Sequence, residues 1–195
     1  MSLSKQAKIL SKGQVEAVLA HAFRTRNPKR NRAIALLSIR GGLRAKEIAH
    51  LTWAMVVGPD GSVGHSIHLL DSASKGSSGR VIPLSRDLQK ALDDLYAEQG
   101  HPDPDSRVVR SERSRTVSAQ SIVNLFFVWY EQLGFTGCSS HSGRRTFITN
   151  AARKISTVGG SLRDVQVLAG HSRLSTTQRY IEADSEAQRR VVNLV

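Results

Sequence analysis

Apolar residues recur every three or four positions in the first fifty residues, a pattern that predicts helices. Ser11 and Gln14 have the spacing of a capping box, so the first helix is expected to begin at Ser11. Pro28 suits the first turn of a second helix, which the glycine pair at 41–42 is expected to end. A short third helix is predicted over residues 45–51.

The pattern then changes to an alternation of apolar and polar residues, which is typical of strands. A segment rich in serine and glycine, residues 72–79, has the composition of a flexible hairpin tip. Pro83 cannot donate a backbone hydrogen bond, so it marks an edge position or the end of a strand. We therefore predict a three-stranded antiparallel sheet near residues 53–84, with strands at 53–57, 65–70 and 80–84.

Only helices are predicted after this sheet. Capping residues and the return of helical spacing predict helices that begin at Ser85, Ser118, His141 and Ser161. The last helix is expected to start at Ser175 and to carry Tyr180 in its second turn. The expected fold class is therefore α+β, mostly α, with one small antiparallel sheet.

The bulk composition excludes several classes of protein. With 195 residues the chain can bury one ordinary core, and a hydrophobic content of 39% argues against a disordered chain. No apolar run reaches the length of a transmembrane helix. Cys138 is the only cysteine, which excludes an intrachain disulfide and a cysteine-based metal site. These features predict a soluble protein of a reducing compartment, without a membrane partner.

The strongest compositional feature is a net charge of +12. The basic residues are concentrated in clusters at 24–32, 107–115, 144–154 and 173–190. A basic protein of this size usually binds a polyanion, and nucleic acid is the commonest one. A basic protein with no nucleic-acid partner stays open at this point, although the clustering argues against it.

The segment from 141 to 180 combines two histidines, several arginines and one tyrosine. A hydroxyl group that attacks, cations that hold an oxyanion and imidazoles that move protons suit the cleavage of a phosphodiester. Two further cations lie upstream. Arg44 starts a short helix, where an anion is favoured, and Lys75 lies at the hairpin tip, where a lysine can donate a proton. Taken singly, each of these residues has an ordinary alternative as a surface or core residue.

Four segments together resemble the motifs of the tyrosine recombinases, the phage-integrase family. They read GLRAKEIAHLTW, SKGSSGRVIPL, HSGRRTFITNAAR and LAGHSRLSTTQRYIE, and the resemblance covers about residues 11–185. Two positions depart from the family's usual residues: Ser142, where aspartate is common, and Arg145, where histidine is common. The residues that match the family's catalytic positions are Arg44, Lys75, His141, Arg144, His171 and the nucleophile Tyr180, with Glu47 as the supporting acid.

The resemblance implies a site-specific recombinase or integrase that cleaves and rejoins DNA strands through a 3′-phosphotyrosyl intermediate. In that chemistry Arg44, Arg144 and His171 hold the non-bridging oxygens of the phosphate. Lys75 protonates the leaving 5′-hydroxyl, and His141 assists proton transfer from the tyrosine. No metal and no cofactor are expected. Basic residues beside the motifs are expected to bind DNA, namely Arg80, Arg145 and Arg173.

Residues 1–195 are expected to form a single catalytic domain, without the N-terminal core-binding domain that most family members carry. The implied partner is double-stranded DNA, bound by a homotetramer on paired sites, with accessory DNA-bending proteins or a partner recombinase as further candidates. The implied location is the cytoplasm, in association with the nucleoid. Two alternatives stay open: DNA relaxation like that of a type IB topoisomerase, and a non-catalytic DNA-binding accessory protein.

Overall fold

Three helices form the first part of the computed structural model, which describes residues 7–74, 79–181 and 192. The predicted capping box is confirmed, because the backbone N–H groups of Ser11 and Gln14 each donate to the other's side chain, at 3.0 and 3.3 Å. Pro28 occupies the start of the second helix, as predicted. The three helices are α1 (Lys12–Phe23), α2 (Pro28–Ile39) and α3 (Ala45–His50).

Among the described residues the sheet has two strands, not the predicted three. β1 (Ser66–Leu69) pairs antiparallel with β2 (Arg80–Pro83), and these two strands confirm the predictions at 65–70 and 80–84. Ile67 lies opposite Ile82, and both side chains are buried. The hairpin therefore packs one face on the domain and leaves the other to solvent.

The prediction of a strand at 53–57 is wrong. Trp53–Met55 forms a 3₁₀ helix, and the backbone N–H of Val57 donates to the carbonyl of Trp53 at 2.8 Å. Trp53 and Met55 are buried while Ala54 between them is exposed, which imitates the alternation of a strand although the backbone turns. The flanking residues contribute only isolated bridges, from Thr52 to Arg107 and from Val57 to Val63.

Helices follow the hairpin, and Tyr180 lies just beyond the helix Leu174–Gln178. That helix starts at Leu174 and ends at Gln178, so the prediction that Tyr180 lies in its second turn is wrong by two residues. The backbone N–H of Tyr180 instead donates to the carbonyl of Thr177 at 3.0 Å. The helices are α4 (Arg86–Glu98), α5 (Ala119–Gln132), α6 (Ser142–Lys154), α7 (Leu162–Ala169) and α8 (Leu174–Gln178).

In the part of the chain that the structure describes, two apolar clusters organise these elements. The larger one lies among α1 to α5 and includes Trp53 and Phe126, whose side chains are almost fully buried. The smaller one joins Ile148 of α6 to Val165 of α7, and Tyr180 packs against its edge. Burial of a large apolar side chain contributes about 1.5–3 kcal/mol. The smaller cluster therefore fixes α7 against α6 and positions the segment that carries Tyr180.

The helix starts agree with the capping residues read from the sequence. Ser85 and Ser118 accept backbone hydrogen bonds at the starts of α4 and α5, and a capping box between Ser161 and Asp164 opens α7. The fold class, α+β and mostly α, is confirmed. Within the described ranges, none of the helices is both long and apolar enough to span a bilayer.

Candidate active site

Arg144 is the buried cation around which the candidate site is built. It extends from the first turn of α6, and only 4% of the residue is exposed. The preceding residue, Gly143, allows α6 to lie directly against α2, because a Cβ at this position would overlap Ser38. This close packing places the guanidinium next to the chain that leaves α2.

Three acceptors hold the Arg144 guanidinium. Nη1 donates to the carbonyl of Gly42 at 2.6 Å, while Nη2 donates to the carbonyl of Ala169 at 2.6 Å and to Nε2 of His171 at 3.1 Å. Burial, and then the charge of Arg44, lower the pKa of Arg144 to about 9, so it is still a cation at neutral pH. A guanidinium has five N–H donors. Since three are used, Nε–H and one Nη1–H have no partner among the described residues and can bind an anion.

A buried carboxylate joins two further arginines. Glu47 is fully buried, and its Oε1 accepts from Nη1 of Arg44 at 2.7 Å. The two terminal nitrogens of Arg80 donate to the two carboxylate oxygens of Glu47 at 3.0 and 3.1 Å. Burial by itself would raise the pKa of Glu47, but the hydrogen bonds and charges of Arg80 and Arg44 lower it below its ordinary value. One carboxylate thus faces several cations, and the site keeps an excess of positive charge.

Arg80 lies beneath the site and not on a surface that DNA could reach. Its side chain is 3% exposed, and its Nε donates to the carbonyl of Leu168 in α7 at 2.8 Å. Gly170 follows α7 with a φ of 60°, and a Cβ there would meet Nη1 of Arg80 at 2.9 Å. The expectation that Arg80 contacts DNA is therefore corrected: this arginine ties β2 to α3, through Glu47, and to α7.

The turn after α7 places the ring of His171 between Arg144 and Thr177. The carbonyl of His171 accepts from Nε2 of Gln166 at 2.9 Å, and its Nδ1 lies 3.0 Å from Oγ1 of Thr177. Burial, and then the charge of Arg144 and its neighbouring arginines, lower the pKa of His171 to about 4. The imidazole is therefore neutral at physiological pH.

Tyr180 and Arg144 line the same cavity. The ring of Tyr180 stacks on His171, with centroids 5.6 Å apart and planes inclined by 22°. The cavity has a volume of about 240 Å³, and its wall also includes His141 and Arg145. Tyr180, a buried cation and the imidazole of His141 therefore line one cavity, and the imidazole of His171 stacks on the ring of Tyr180.

His141 lies at the rim of this cavity as the N-cap residue of α6. Partial burial of its ring, and then the charges of Arg144 and Arg44, lower the pKa of His141 below its ordinary value. The residue is nevertheless exposed, so its ring can exchange protons with solvent. A neutral imidazole in this position can accept a proton from the tyrosine.

Residues 8–187, which include every side chain of the site just described, match the model of the phage integrase family. The chain belongs to the phage integrase family. The resemblance of the four sequence motifs is confirmed by this match.

Relatives in the phage integrase family include tyrosine recombinases of bacteria and archaea. Tyrosine recombinase XerC of Shewanella sp. (strain W3-18-1) is 30% identical over 190 residues, which cover 94% of this chain and 59% of the relative. Tyrosine recombinase XerA of Thermococcus onnurineus (strain NA1) is 29% identical over 185 residues, covering 94% of this chain and 61% of the relative. The chain thus spans about three fifths of the length of these relatives.

Solved structures of the family share the fold. The crystal structure of XerA recombinase superposes with a TM-score of 0.74 at 22% identity, over 95% of this chain and 64% of that one. The Tn1549 transposon integrase, in complex with a circular intermediate DNA, gives a TM-score of 0.76 at 16% identity, over 100% of this chain and 68% of that one. At these identities the likeness establishes the fold of the family's catalytic domain.

The remaining residues predicted from the family motifs have different surroundings. Arg145 lines the cavity, and its Nη1 donates to the carbonyl of Ala7 at 3.1 Å. Arg173 is the exposed N-cap residue of α8. Lys75 lies outside the described residues. The structure brings the other predicted residues together: Arg44, Glu47, His141, Arg144, His171 and Tyr180.

Several contacts in the site were not predicted from the sequence. Thr177 is completely buried against His171, and the carbonyls of Gly42 and Ala169 hold Arg144. The spacing of Thr177, three residues before Tyr180, is the one signal that could have placed it on the inner side of the last helix. In the described part of the chain, no group of three or more histidine, cysteine, aspartate or glutamate residues could hold a metal ion.

Proposed function

We propose that the chain is the catalytic part of a site-specific DNA recombinase that cleaves and rejoins strands through a 3′-phosphotyrosyl intermediate. The observation that carries this proposal is the shared cavity of Tyr180 and Arg144, because it places a nucleophile beside donors that can bind phosphate. The names of the relatives, which are tyrosine recombinases, support the same activity.

In the first step the hydroxyl of Tyr180 attacks the scissile phosphorus, and the bond from phosphorus to the 5′-oxygen breaks. His141 takes the proton of the tyrosine, and Lys75 donates a proton to the leaving 5′-oxygen. The partly exposed Arg44, the two remaining donors of Arg144 and, as the family resemblance implies, His171 bind the non-bridging oxygens, where negative charge develops. Religation is the reverse step, in which a 5′-hydroxyl attacks the phosphotyrosine.

Preorganisation explains why this site suits the reaction. Glu47 holds Arg44, and two backbone carbonyls with His171 hold Arg144, so these cations need little rearrangement when the phosphate becomes more negative. Removal of one such fixed donor in other enzymes typically costs about a hundred- to a thousand-fold in rate. The energy of the phosphodiester is retained in the phosphotyrosine, and the cycle therefore requires no nucleotide cofactor.

Double-stranded DNA is the proposed partner, and a tetramer on two paired sites is the proposed assembly. The net charge of +12 supports binding to a polyanion. The structural relatives include XerH recombinase bound to its difH substrate, with a TM-score of 0.71 at 18% identity over 98% of this chain and 55% of that one. Accessory DNA-bending proteins or a partner recombinase belong to the same proposal.

The test is the capture of a covalent adduct. A pool of nicked duplexes with randomised arms is incubated with the protein, and adducts that survive detergent are isolated and sequenced. We expect enriched sequences joined to Tyr180 and no adduct with Tyr180→Phe, whose site is otherwise unchanged. An adduct on another residue, or equal capture by Tyr180→Phe, would overturn the proposal.

The enriched duplex is then used in assays that distinguish recombination between two sites from relaxation of supercoiled DNA. Incubation of paired sites should give strand-exchanged products and Holliday junctions. A protein that relaxes supercoiled DNA containing the site, yet never exchanges strands between two sites, would be a topoisomerase instead.

A further inference from the structure

The peptide group that precedes Lys75 is held by a lysine of α3. The side chain of Lys46 donates from Nζ to the carbonyl of Ser74 at 3.2 Å. Because a peptide bond is planar, this carbonyl shares one rigid plane with the backbone nitrogen of the next residue, Lys75. The contact therefore acts on the backbone group to which the proposed general acid is attached.

Ser74 is anchored in the domain, although the composition of residues 72–79 is typical of a flexible tip. Only 3% of Ser74 is exposed, and Ala73 before it is buried as well. The backbone N–H and the hydroxyl of Ser74 both donate to the carbonyl of Asp71, each at 3.0 Å. With its carbonyl held by Lys46, Ser74 is a fixed point immediately before the proposed general acid.

The other side of the hairpin tip is attached to the same aspartate. The backbone N–H of Gly79 donates to Oδ1 of Asp71 at 2.6 Å. A Cβ on Gly79 would meet a backbone oxygen of β1 at 2.9 Å, so the chain runs close to that strand here. Residues 75–78 thus connect two points, Ser74 and Gly79, that are both held near Asp71. Since one residue spans at most about 3.3–3.6 Å, the position of Ser74 limits where the next side chain can reach.

We propose that Lys46 is a positioning residue that directs Lys75 towards the leaving 5′-oxygen, because it fixes the peptide plane between Ser74 and Lys75. The inference rests on the proposed function, which makes Lys75 the general acid. Proton transfer needs a donor within hydrogen-bond reach of the oxygen, so a displaced backbone lowers the rate. The short helix α3 then serves two sides of the reaction, since Arg44 binds the non-bridging oxygens and Lys46 holds the hairpin.

Three substitutions separate this hydrogen bond from charge and from folding. Lys46→Met removes the donor at an exposed position of α3. Lys46→Arg is the conservative counterpart, because its guanidinium is also a cationic donor that can reach a carbonyl. Lys90→Met is the control for charge, because it removes one exposed lysine from α4, where Lys90 pairs with Asp94 at 3.5 Å.

The first readout is hydrogen exchange of the hairpin in the DNA-free protein, measured by mass spectrometry on fragments that contain residues 70–84. Lys46→Met should speed exchange in these fragments several-fold, because the hydrogen-bonded N–H groups of Ser74 and Gly79 open more often. Lys46→Arg and Lys90→Met should exchange like the wild type. Unchanged exchange in Lys46→Met would overturn the proposal. An equal rise in fragments of α5 would overturn it too, since Lys46 would then support the whole fold.

The second readout is the rate of adduct formation on two nicked duplexes, one with oxygen and one with sulfur at the bridging 5′ position. With oxygen, Lys46→Met should be roughly tenfold slower than the wild type, as expected for loss of one orienting hydrogen bond, and Lys46→Arg should stay within about twofold. With sulfur, the leaving thiolate needs no proton, so the defect of Lys46→Met should largely vanish.

The substrate with sulfur distinguishes positioning of Lys75 from a direct contact with the DNA. A defect of Lys46→Met that is equally large with sulfur would show that Lys46 serves the phosphate oxygens, and a normal rate with oxygen would show that it serves neither; both results overturn the proposal. If the wild type forms no adduct with any DNA, the proposed function fails, while hydrogen exchange still decides whether Lys46 holds the hairpin.

Discussion

Arg80 binds both carboxylate oxygens of Glu47 inside the domain, at 3.0 and 3.1 Å, although 33 residues separate them in the chain. The same carboxylate holds Arg44, whose guanidinium is partly exposed to the site. Arg80 also donates to the carbonyl of Leu168, just before the turn that carries His171. Arg80 is not among the residues that line the cavity, yet its side chain connects three segments that build the site.

We expect the loss of Arg80 to destabilise the fold strongly. Arg80→Met leaves the fully buried Glu47 with one cation fewer, and breaking a buried ion pair by removing one partner costs about 3–5 kcal/mol. Arg80→Lys keeps the positive charge but loses the contact of two nitrogens with the carboxylate. Its free energy of unfolding should therefore lie between those of Arg80→Met and the wild type. Urea unfolding measures the free energies of unfolding.

The double variant Arg80→Met/Glu47→Gln is the control, and it should be more stable than Arg80→Met because the unpaired carboxylate is gone. A cost below about 1 kcal/mol for Arg80→Met would contradict this account.

The stabilisation by Glu47 should depend on pH in one direction. Because Arg80 and Arg44 lower the pKa of Glu47 in the folded state, the folded protein binds fewer protons than the unfolded chain. The contribution is therefore complete above the unfolded pKa, about 4.3, and is lost as the pH falls through the folded pKa. The gap in unfolding free energy between the wild type and Glu47→Gln should be widest near neutral pH and should narrow below about pH 4. A gap that stays constant from pH 7 to pH 3 would show that Glu47 does not titrate in this way.

The sequence was sufficient for the local features and insufficient for the contacts between distant segments. The cap residues Ser11 and Ser161 and the hairpin were predicted because each depends on neighbours a few residues away. The strand predicted at 53–57 is wrong because a 3₁₀ helix, like a strand, can bury alternate residues such as Trp53 and Met55. Arg80 was expected on the DNA-facing surface because nothing in a single sequence reveals that Glu47 lies within reach.

Gly42 should be intolerant of a side chain for two separable reasons. Its φ is 65°, and a Cβ would overlap the ring of Phe147. Gly61 is a matched control, since its φ is 76° but nothing lies within 4 Å of a Cβ there. Gly61→Ala should lower the free energy of unfolding by about 1–2 kcal/mol, which is the strain of a non-glycine residue in the left-handed conformation. Gly42→Ala should lower the free energy of unfolding by more than Gly61→Ala does. It should also slow the formation of the covalent adduct with DNA, because the Gly42 carbonyl holds Arg144. Equal costs in urea unfolding would mean that the ring of Phe147 moves aside freely.

The salt dependence of DNA binding should separate surface arginines from buried ones. The logarithm of the binding constant falls with the logarithm of the salt concentration, with a slope of about −0.9 for each neutralised phosphate. Arg173 is exposed beside the site, so Arg173→Met should reduce the slope by about one unit. Arg80→Met removes the same charge from a buried position and should leave the slope unchanged. A smaller slope in folded Arg80→Met would show that Arg80 contacts a phosphate of the DNA.

Lys75 is predicted to be the general acid, on the strength of its place in the hairpin motif. A general acid typically contributes about a hundred- to ten-thousand-fold in rate, so Lys75→Ala should slow cleavage of ordinary DNA within that range. When sulfur replaces the bridging 5′-oxygen, the leaving thiolate is stable without a proton, and the defect of Lys75→Ala should largely vanish. Arg44→Ala is the control, because Arg44 serves the non-bridging oxygens and its defect should persist with sulfur. Rates of adduct formation on the two nicked substrates measure both effects. If the Lys75→Ala defect is as large with sulfur as with oxygen, Lys75 only positions the DNA, and His141 becomes the next candidate for the acid.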